Sequence, residues 1–134
     1  MTDDILFEAP YDAPEGLHEA IITAVEPVTL DLPEGPKRLI RWVAAVEFED
    51  SDPKSRTFGQ MVTAEPDALS SLIYNARSKA KRWAVAVGVP PEQRELVARD
   101  LVGRPCMVMI IKKDKGGTGI GDILPVPKKG GKAA

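Results

Sequence analysis

The sequence predicts a mainly β domain of five strands and a helix, in the order β-β-β-α-β-β, with an extra short helix before the fourth strand. Three observations carry this. KRLIRWVAAVEFE, residues 37–49, alternates with a period of two. From Asp67 the apolar spacing changes to three and four. After Gly103 the chain returns to two short β-branched runs separated by a glycine-rich turn. A period of two marks a half-buried strand, and spacings of three and four mark one face of a helix.

The first strand is expected over Leu17–Val28, where Leu17, Ile21, Thr23 and Val25 alternate with His18, Ala20, Ile22 and Ala24. Both faces are fairly apolar, as in a central strand, and Pro27 is expected to end or bulge its pairing. Pro33, Gly35 and Pro36 in LDLPEGP mark a loop. In the strand that follows, Ile40, Trp42, Ala44, Val46 and Phe48 share the core face, whereas Lys37, Arg41, Glu47 and Glu49 lie on the other. EDSDPKS, residues 49–55, is turn chemistry. A third strand is expected over Arg56–Val62, with Gly59 at a bulge or a close backbone approach.

A helix is expected from Asp67 to Val87. Leu69, Leu72, Ile73, Ala76, Ala80, Trp83 and Val87 form its stripe, Pro66 and Asp67 suit its first turn, and Gly88 suits its end. The extra short helix is placed over Glu92–Leu101. The last two strands are placed at Pro105–Lys112 and Ile120–Val126, joined by KDKGGTG. The chain divides into a flexible acidic arm (1–15), pinned by Phe7 and Tyr11, a folded domain (16–127) and a disordered basic tail (128–134).

A chain of 134 residues suffices for one domain with a hydrophobic core of its own. No apolar run reaches the roughly 20 residues of a membrane helix, and the acidic start is unlike a signal peptide. With a single cysteine, Cys106, the expected compartment is the cytoplasm. The first 36 residues carry nine acids and no Lys or Arg, so the remainder holds all 18 basic residues against 11 acids. Such asymmetry points to a basic surface beside an acidic segment. A dispersed solvated surface is the competing reading.

Catalytic and metal chemistry lack support. His18 has no partner at metal-ligand spacing, and Cys106 sits in an apolar strand. GGTGIG, residues 116–121, is not followed by the Gly-Lys-Ser/Thr of a phosphate loop, so a hairpin turn accounts for it. EFEDSDP lacks the spacing of a calcium loop. The expectation is a protein that is not an enzyme and uses no cofactor and no metal.

The element order is that of an OB-fold-like barrel, a fold that binds oligonucleotides across its second and third strands and adjoining loops. The chain also resembles a phage-encoded family of OB-fold single-stranded-DNA-binding-like proteins, long catalogued as a domain of unknown function. The resemblance lies in PEGLHEAII, the strand ending VEFED, SRTF, RWAVAVGV (Arg82 to Val89), DLVGRPCMVMI and GDILP, and it spans roughly residues 14–127. It implies sequence-independent single-stranded DNA binding in phage replication or recombination, in the host cytoplasm. Bacterial single-stranded-DNA-binding proteins usually end in an acidic tip that recruits partners, whereas this chain ends in KKGGKAA.

Single-strand binding needs cations for phosphates and flat side chains for bases. The candidates are Lys37, Arg38 and Arg41 on the second strand, Arg56 and Phe58 on the third, and Lys112, Lys113 and Lys115 at the last hairpin. Trp42 and Trp83 are assigned to the core, and Tyr74 to the edge of the helix stripe. Arg77, Lys79, Lys81 and Arg82 are read as a wet helix face that would extend the track if it were continuous with it. The expected partners are single-stranded DNA and replication or recombination proteins, with no membrane, and a homo-oligomer is left open. The alternative is a protein-interaction module, an OB-like adaptor or inhibitor docking on a replication, recombination or host-defence protein.

Overall fold

The computed structural model describes residues 11–127 except Ala76 and Lys115. The expectations for residues 1–10, including Phe7, and for the tail 128–134 lie outside the described residues. The described chain is mainly β: an antiparallel sheet of six strands with one α-helix packed on it.

The first two strands are long. β1 (Gly16–Leu32) and β2 (Gly35–Glu49) pair from Ile21↔Ala45 to Leu32↔Gly35, closing on a turn at Pro33–Glu34. β1 therefore runs past Pro27, which the sequence reading made its breaking point. The neighbour on the other side of β1 is β5 (Pro105–Lys112), and it pairs only with Gly16–Ile21. Beyond Ile22, which still bonds Gly103 and Arg104, no strand pairs with that edge of β1 among the described residues, so a residue without an N–H can be tolerated there.

The register shifts between Ile22 and Ala24, a bulge at Thr23, whose Oγ1 donates to the Val43 carbonyl at 3.3 Å. A bulge bends its strand and increases the twist. β2 pairs with β1 on both sides of this bend, whereas β5 pairs only before it. β6 (Thr118–Leu124) completes that side by pairing with β5.

The other edge of β2 is covered in two pieces. β3 (Met61–Ala64) pairs with Val46–Glu49, and β4 (Asp67–Ser70) pairs with Ile40–Val43. Between them the Ala44 N–H donates to the Pro66 carbonyl at 3.1 Å, so the edge stays hydrogen-bonded across the break. Among the described residues no ladder joins β6 to β3 or β4, and the sheet is not a closed barrel.

Three expected boundaries are corrected here. The third strand does not begin at Arg56. Residues 51–60 form turns around Asp50, whose backbone pairs with Gly59 and Gln60. Its carboxylate accepts from Thr57 Oγ1 at 2.6 Å and from the Asp52 N–H at 3.0 Å. At Gly59, φ +82°, the expected bulge is present, because Gly59 and Gln60 both pair with Asp50, one extra residue at the base of this turn. The helix does not begin at Asp67, because that stretch is β4. The exposed edge of β2 needs hydrogen-bond partners, and β3 is too short to supply them all. After β4, the Ser71 and Asn75 side chains accept from the backbone N–H groups of Ile73 and Arg77, local bonds that compete with a helical ladder. Leu69, Leu72 and Ile73 are consequently exposed. Lastly, only Ala98–Leu101 of the expected 92–101 helix is helical, as a single 3-10 turn.

The α-helix, α1 (Lys79–Ala86), is short and well bounded. Ser78 caps it, accepting from the Lys81 N–H at 3.1 Å. At its end Gly88 takes φ +100°, its N–H bonds to the Val85 carbonyl, and Val89 N–H reaches back to Ala84. These two bonds form the paired closure that glycine at this position permits.

The core lies between the concave face of the sheet and α1. Ala20 and Ile22 of β1, Trp42, Ala44 and Val46 of β2, and Cys106, Val108 and Ile110 of β5 alternate inward as a period of two requires. Ala80, Trp83 and Ala84 of α1 meet them. Trp42 and Trp83 pack edge to face, centroids 5.3 Å apart at 83°. Each indole N–H has a partner: Trp42 donates to Ser70 Oγ at 2.9 Å and Trp83 to Asp122 Oδ1 at 2.8 Å.

Burial acts to raise the pKa of Asp122, but the Trp83 indole, Arg82 and the Ile123 amide outweigh it and hold the carboxyl below its ordinary value. A carboxyl depressed in the folded state stabilises above its unfolded value near 3.8, and that stability is lost as pH falls through the folded value. In urea titrations from pH 6 to pH 2.5, wild type is expected to lose stability more steeply below about pH 4 than Asp122→Asn. Trp83→Ala is expected to cost about 3–5 kcal/mol at neutral pH by the same measurement.

Candidate nucleic-acid interface

β1, β2 and the β3–β4 edge present a groove of about 750 Å³ on the face opposite Trp42. Arg41 and Val43 of β2, Thr23 of β1, Thr63 of β3 and Asp67 of β4 line it. One end is bounded by Lys113 and Thr118 of the β5–β6 hairpin, and the start of the described chain, Tyr11–Ala13, borders it as well. That segment is anchored. The Tyr11 hydroxyl is 3.0 Å from Thr57 Oγ1, Ala13 is buried in the core, and Thr118 Oγ1 donates to the Ala13 carbonyl at 2.8 Å.

Two of the expected cations meet in this groove. Arg41 reaches it because odd-numbered positions of β2 face away from the Trp42 side. Its Nε donates to Asp67 Oδ2 at 2.7 Å, and its Nη1 donates to Glu26 Oε2 at 3.0 Å. Lys113 Nζ lies 3.6 Å from the other Asp67 oxygen. The Lys113 stem crosses Gly119, where a Cβ would collide with it, so glycine at that position leaves the lysine its path. The bond to Asp67 is the main reason the Arg41 guanidinium is held above its ordinary value. Burial pushes the Asp67 carboxyl up, and the Arg41 bond and Lys113 charge more than reverse this, leaving it lowered.

The other candidates are dispersed. Lys37 shares the outer face with Arg41 but lies four residues along the strand, about 13 Å away. Arg38 has the opposite parity and faces the other side, exposed where the β1–β2 hairpin extends past the core. Arg56 and Phe58 stand on the 51–60 turns, with Phe58 56% exposed. Lys112 is exposed at the end of β5, and Lys115 lies outside the described residues. The helix cations do not extend the groove. Lys79 Nζ sits 5.3 Å from the Trp83 ring centroid, Lys81 Nζ donates to the Gln93 carbonyl at 2.8 Å, and Arg82 pairs with Asp122 at 3.2 Å.

Asp67 and Glu26, the carboxylates that hold Arg41, are not among the site residues expected from sequence, where Asp67 is assigned to a helix start. Glu26 lies directly across β1–β2 from Arg41, and Asp67 lies diagonally across β2–β4. Such neighbours interact once the register is known, and neither has a local motif. Tyr74 also departs from expectation. It precedes the helix, half-buried beneath Lys81 Nζ at 4.8 Å, and its hydroxyl is buried with no hydrogen-bond partner among the described residues.

His18 Nε2 lies 2.7 Å from the Pro14 carbonyl oxygen. Among the described residues no three His, Cys, Asp or Glu side chains are grouped to hold a metal, and no helix is long and apolar enough to cross a membrane. Cys106 is fully buried, and that burial pushes its thiol up to about 11. A thiol-specific reagent at pH 8 is expected to leave Cys106 unmodified in the folded protein and to label it once urea unfolds the chain. Rapid labelling without unfolding would show that the thiol is reachable. No protein-family model matches this chain, and no curated protein is significantly similar to it.

Proposed function

We propose that this chain is a cytoplasmic, phage-related, sequence-independent single-stranded-DNA-binding protein built on an opened OB-type barrel, and that it is not an enzyme. The single observation that carries the reading is the groove across β1, β2 and the β3–β4 edge, where cations from β2 and from the last hairpin converge. The strand pairings support the fold assignment. β1 is shared between β2 and β5, β5 and β6 form the closing hairpin, and β3 with β4 acts as one interrupted third strand along β2. An OB barrel binds oligonucleotides on this face, between these loops. Exposed Phe58 supplies one flat surface for a base, and Lys37 adds charge farther along the same face of β2.

With one exposed ring among the described residues and two cations lining the groove, binding is weak and governed by salt. Titration of an unstructured fluorescent oligonucleotide at about 50 mM salt is expected to saturate, and affinity is expected to fall as salt rises. Phe58→Ala should cost about 1–3 kcal/mol of binding, the contribution of one stacked base. Absence of saturable binding at low salt would remove the reading.

A second reading, a protein-interaction module, is favoured by a different surface. Leu17 and Met109 are direct cross-strand neighbours on the outer face of β1–β5, and both are exposed. Ile21 and Met61 lie farther along the sheet, 51% and 66% exposed, with Glu19 and Glu47 beside them. Contiguous exposed apolar residues with a polar rim are characteristic of protein contacts. On this reading the partner is a replication, recombination or host-defence protein.

A further inference from the structure

We infer that Asp67 is a built-in competitor of the nucleic-acid backbone: its carboxylate occupies the position between Arg41 and Lys113 that a phosphate would take, and it sets the affinity of the groove low. The inference rests on the nucleic-acid reading of this groove and concerns how that site is tuned. Both carboxylate oxygens of Asp67 are used, one on Arg41 Nε at 2.7 Å and the other facing Lys113 Nζ at 3.6 Å. A bridging carboxylate and a phosphate make the same demand on a guanidinium and an ammonium, an anionic pair of oxygens within reach of both. The two anions therefore exclude each other.

Asp67 is held where it competes. It begins β4 and is paired in register with Val43 on the groove wall. Arg41 has a second anchor in Glu26, on the exposed side of β1 at 3.0 Å. Asp12 and Glu65 also line the groove, so the described lining carries three carboxylates against two cations. A phosphate entering this site has to displace Asp67 from Arg41 and Lys113 before either cation contributes counterion release. Glu26 touches Arg41 alone and does not lie between the two cations, so it should have a smaller effect.

The test is a fluorescence-polarisation titration of an unstructured oligothymidylate across a salt series, using the full chain. Asp67→Asn is expected to bind several-fold tighter than wild type at low salt. Its dependence of log affinity on log salt should be steeper by about 0.7 for each cation released. Glu26→Gln is expected to change both quantities less. Lys113→Gln, an exposed change far from the core, should have little effect in wild type and a clear cost in the Asp67→Asn background. Equal affinity and slope for wild type and Asp67→Asn, with binding present, would overturn the inference and leave the nucleic-acid reading standing. Should Asp67→Asn fail to fold, a full one-contact loss on Lys113→Gln in wild type would overturn it independently, because Lys113 would then already be on a phosphate. Absence of binding in every variant would remove the nucleic-acid reading and this inference with it.

Discussion

The edge-to-face contact between Trp42 and Trp83 is the constraint from which most of the fold follows. Two large rings fill the space between the sheet and the helix, and such a pair adds about 0.5–1.5 kcal/mol beyond the area it buries. The rings are fully enclosed, so each indole N–H has to find an acceptor or cost about 1–3 kcal/mol unpaired. Trp42 finds Ser70, which ends β4 on the edge of β2, and Trp83 finds Asp122 in β6. The two donors therefore tie the centre of the core to two edge strands of the sheet, β4 and β6. Asp122 also pairs with Arg82 on the outer side of the same helix, so one carboxylate anchors α1 through both an indole and a guanidinium.

Much of this core was legible from residue pattern, and the reasons are local. The Ile40–Trp42–Ala44–Val46 alternation and the inward Cys106, Val108 and Ile110 depend only on strand periodicity. Ala80, Trp83 and Val87 depend only on helix periodicity, and Gly88 marks the end of that helix by its backbone freedom. What was not legible depends on partners distant in sequence. Leu69, Leu72 and Ile73 continue a helical stripe on paper, yet the open edge of β2 recruits Asp67–Ser70 as a strand. Pro27 looks like a terminator until the second neighbour of β1 is known to stop at Ile21. The groove shows the same division. Arg41 and Lys113 were singled out by charge and position, but their fixation by Asp67 and Glu26 is a matter of strand register, which no local spacing encodes.

The bulge at Thr23 links fold to groove. It bends β1 just past the end of its pairing with β5, and Thr23 itself lines the groove beside Arg41 and Val43. The bend adds to the curl that brings the hairpin bearing Lys113 round to face β4, although no ladder joins β6 to β4 among the described residues. The Lys113–Asp67 approach is thus a product of sheet curvature. The missing Cβ of Gly119 completes it by leaving the lysine stem a route across β6.

Curvature that gathers cations also creates an electrostatic cost. Arg41 stands beside Val43, a buried side chain, and is itself partly buried, so its guanidinium is partly desolvated. A neighbouring carboxylate offsets that cost, and in this groove Asp67 and Glu26 provide it. Exposed ion pairs contribute little, about 0–1 kcal/mol, but pairing here has a consequence beyond stability. Each cation satisfied inside the protein is one that a ligand must first release. Stability of the empty groove and affinity for an anionic chain therefore draw on the same charges, and whichever the acids favour is gained at the expense of the other. Phe58 lies outside this trade, since stacking on a ring carries no charge to be neutralised. On the proposed nucleic-acid reading it would add to binding without lowering the stability of the protein.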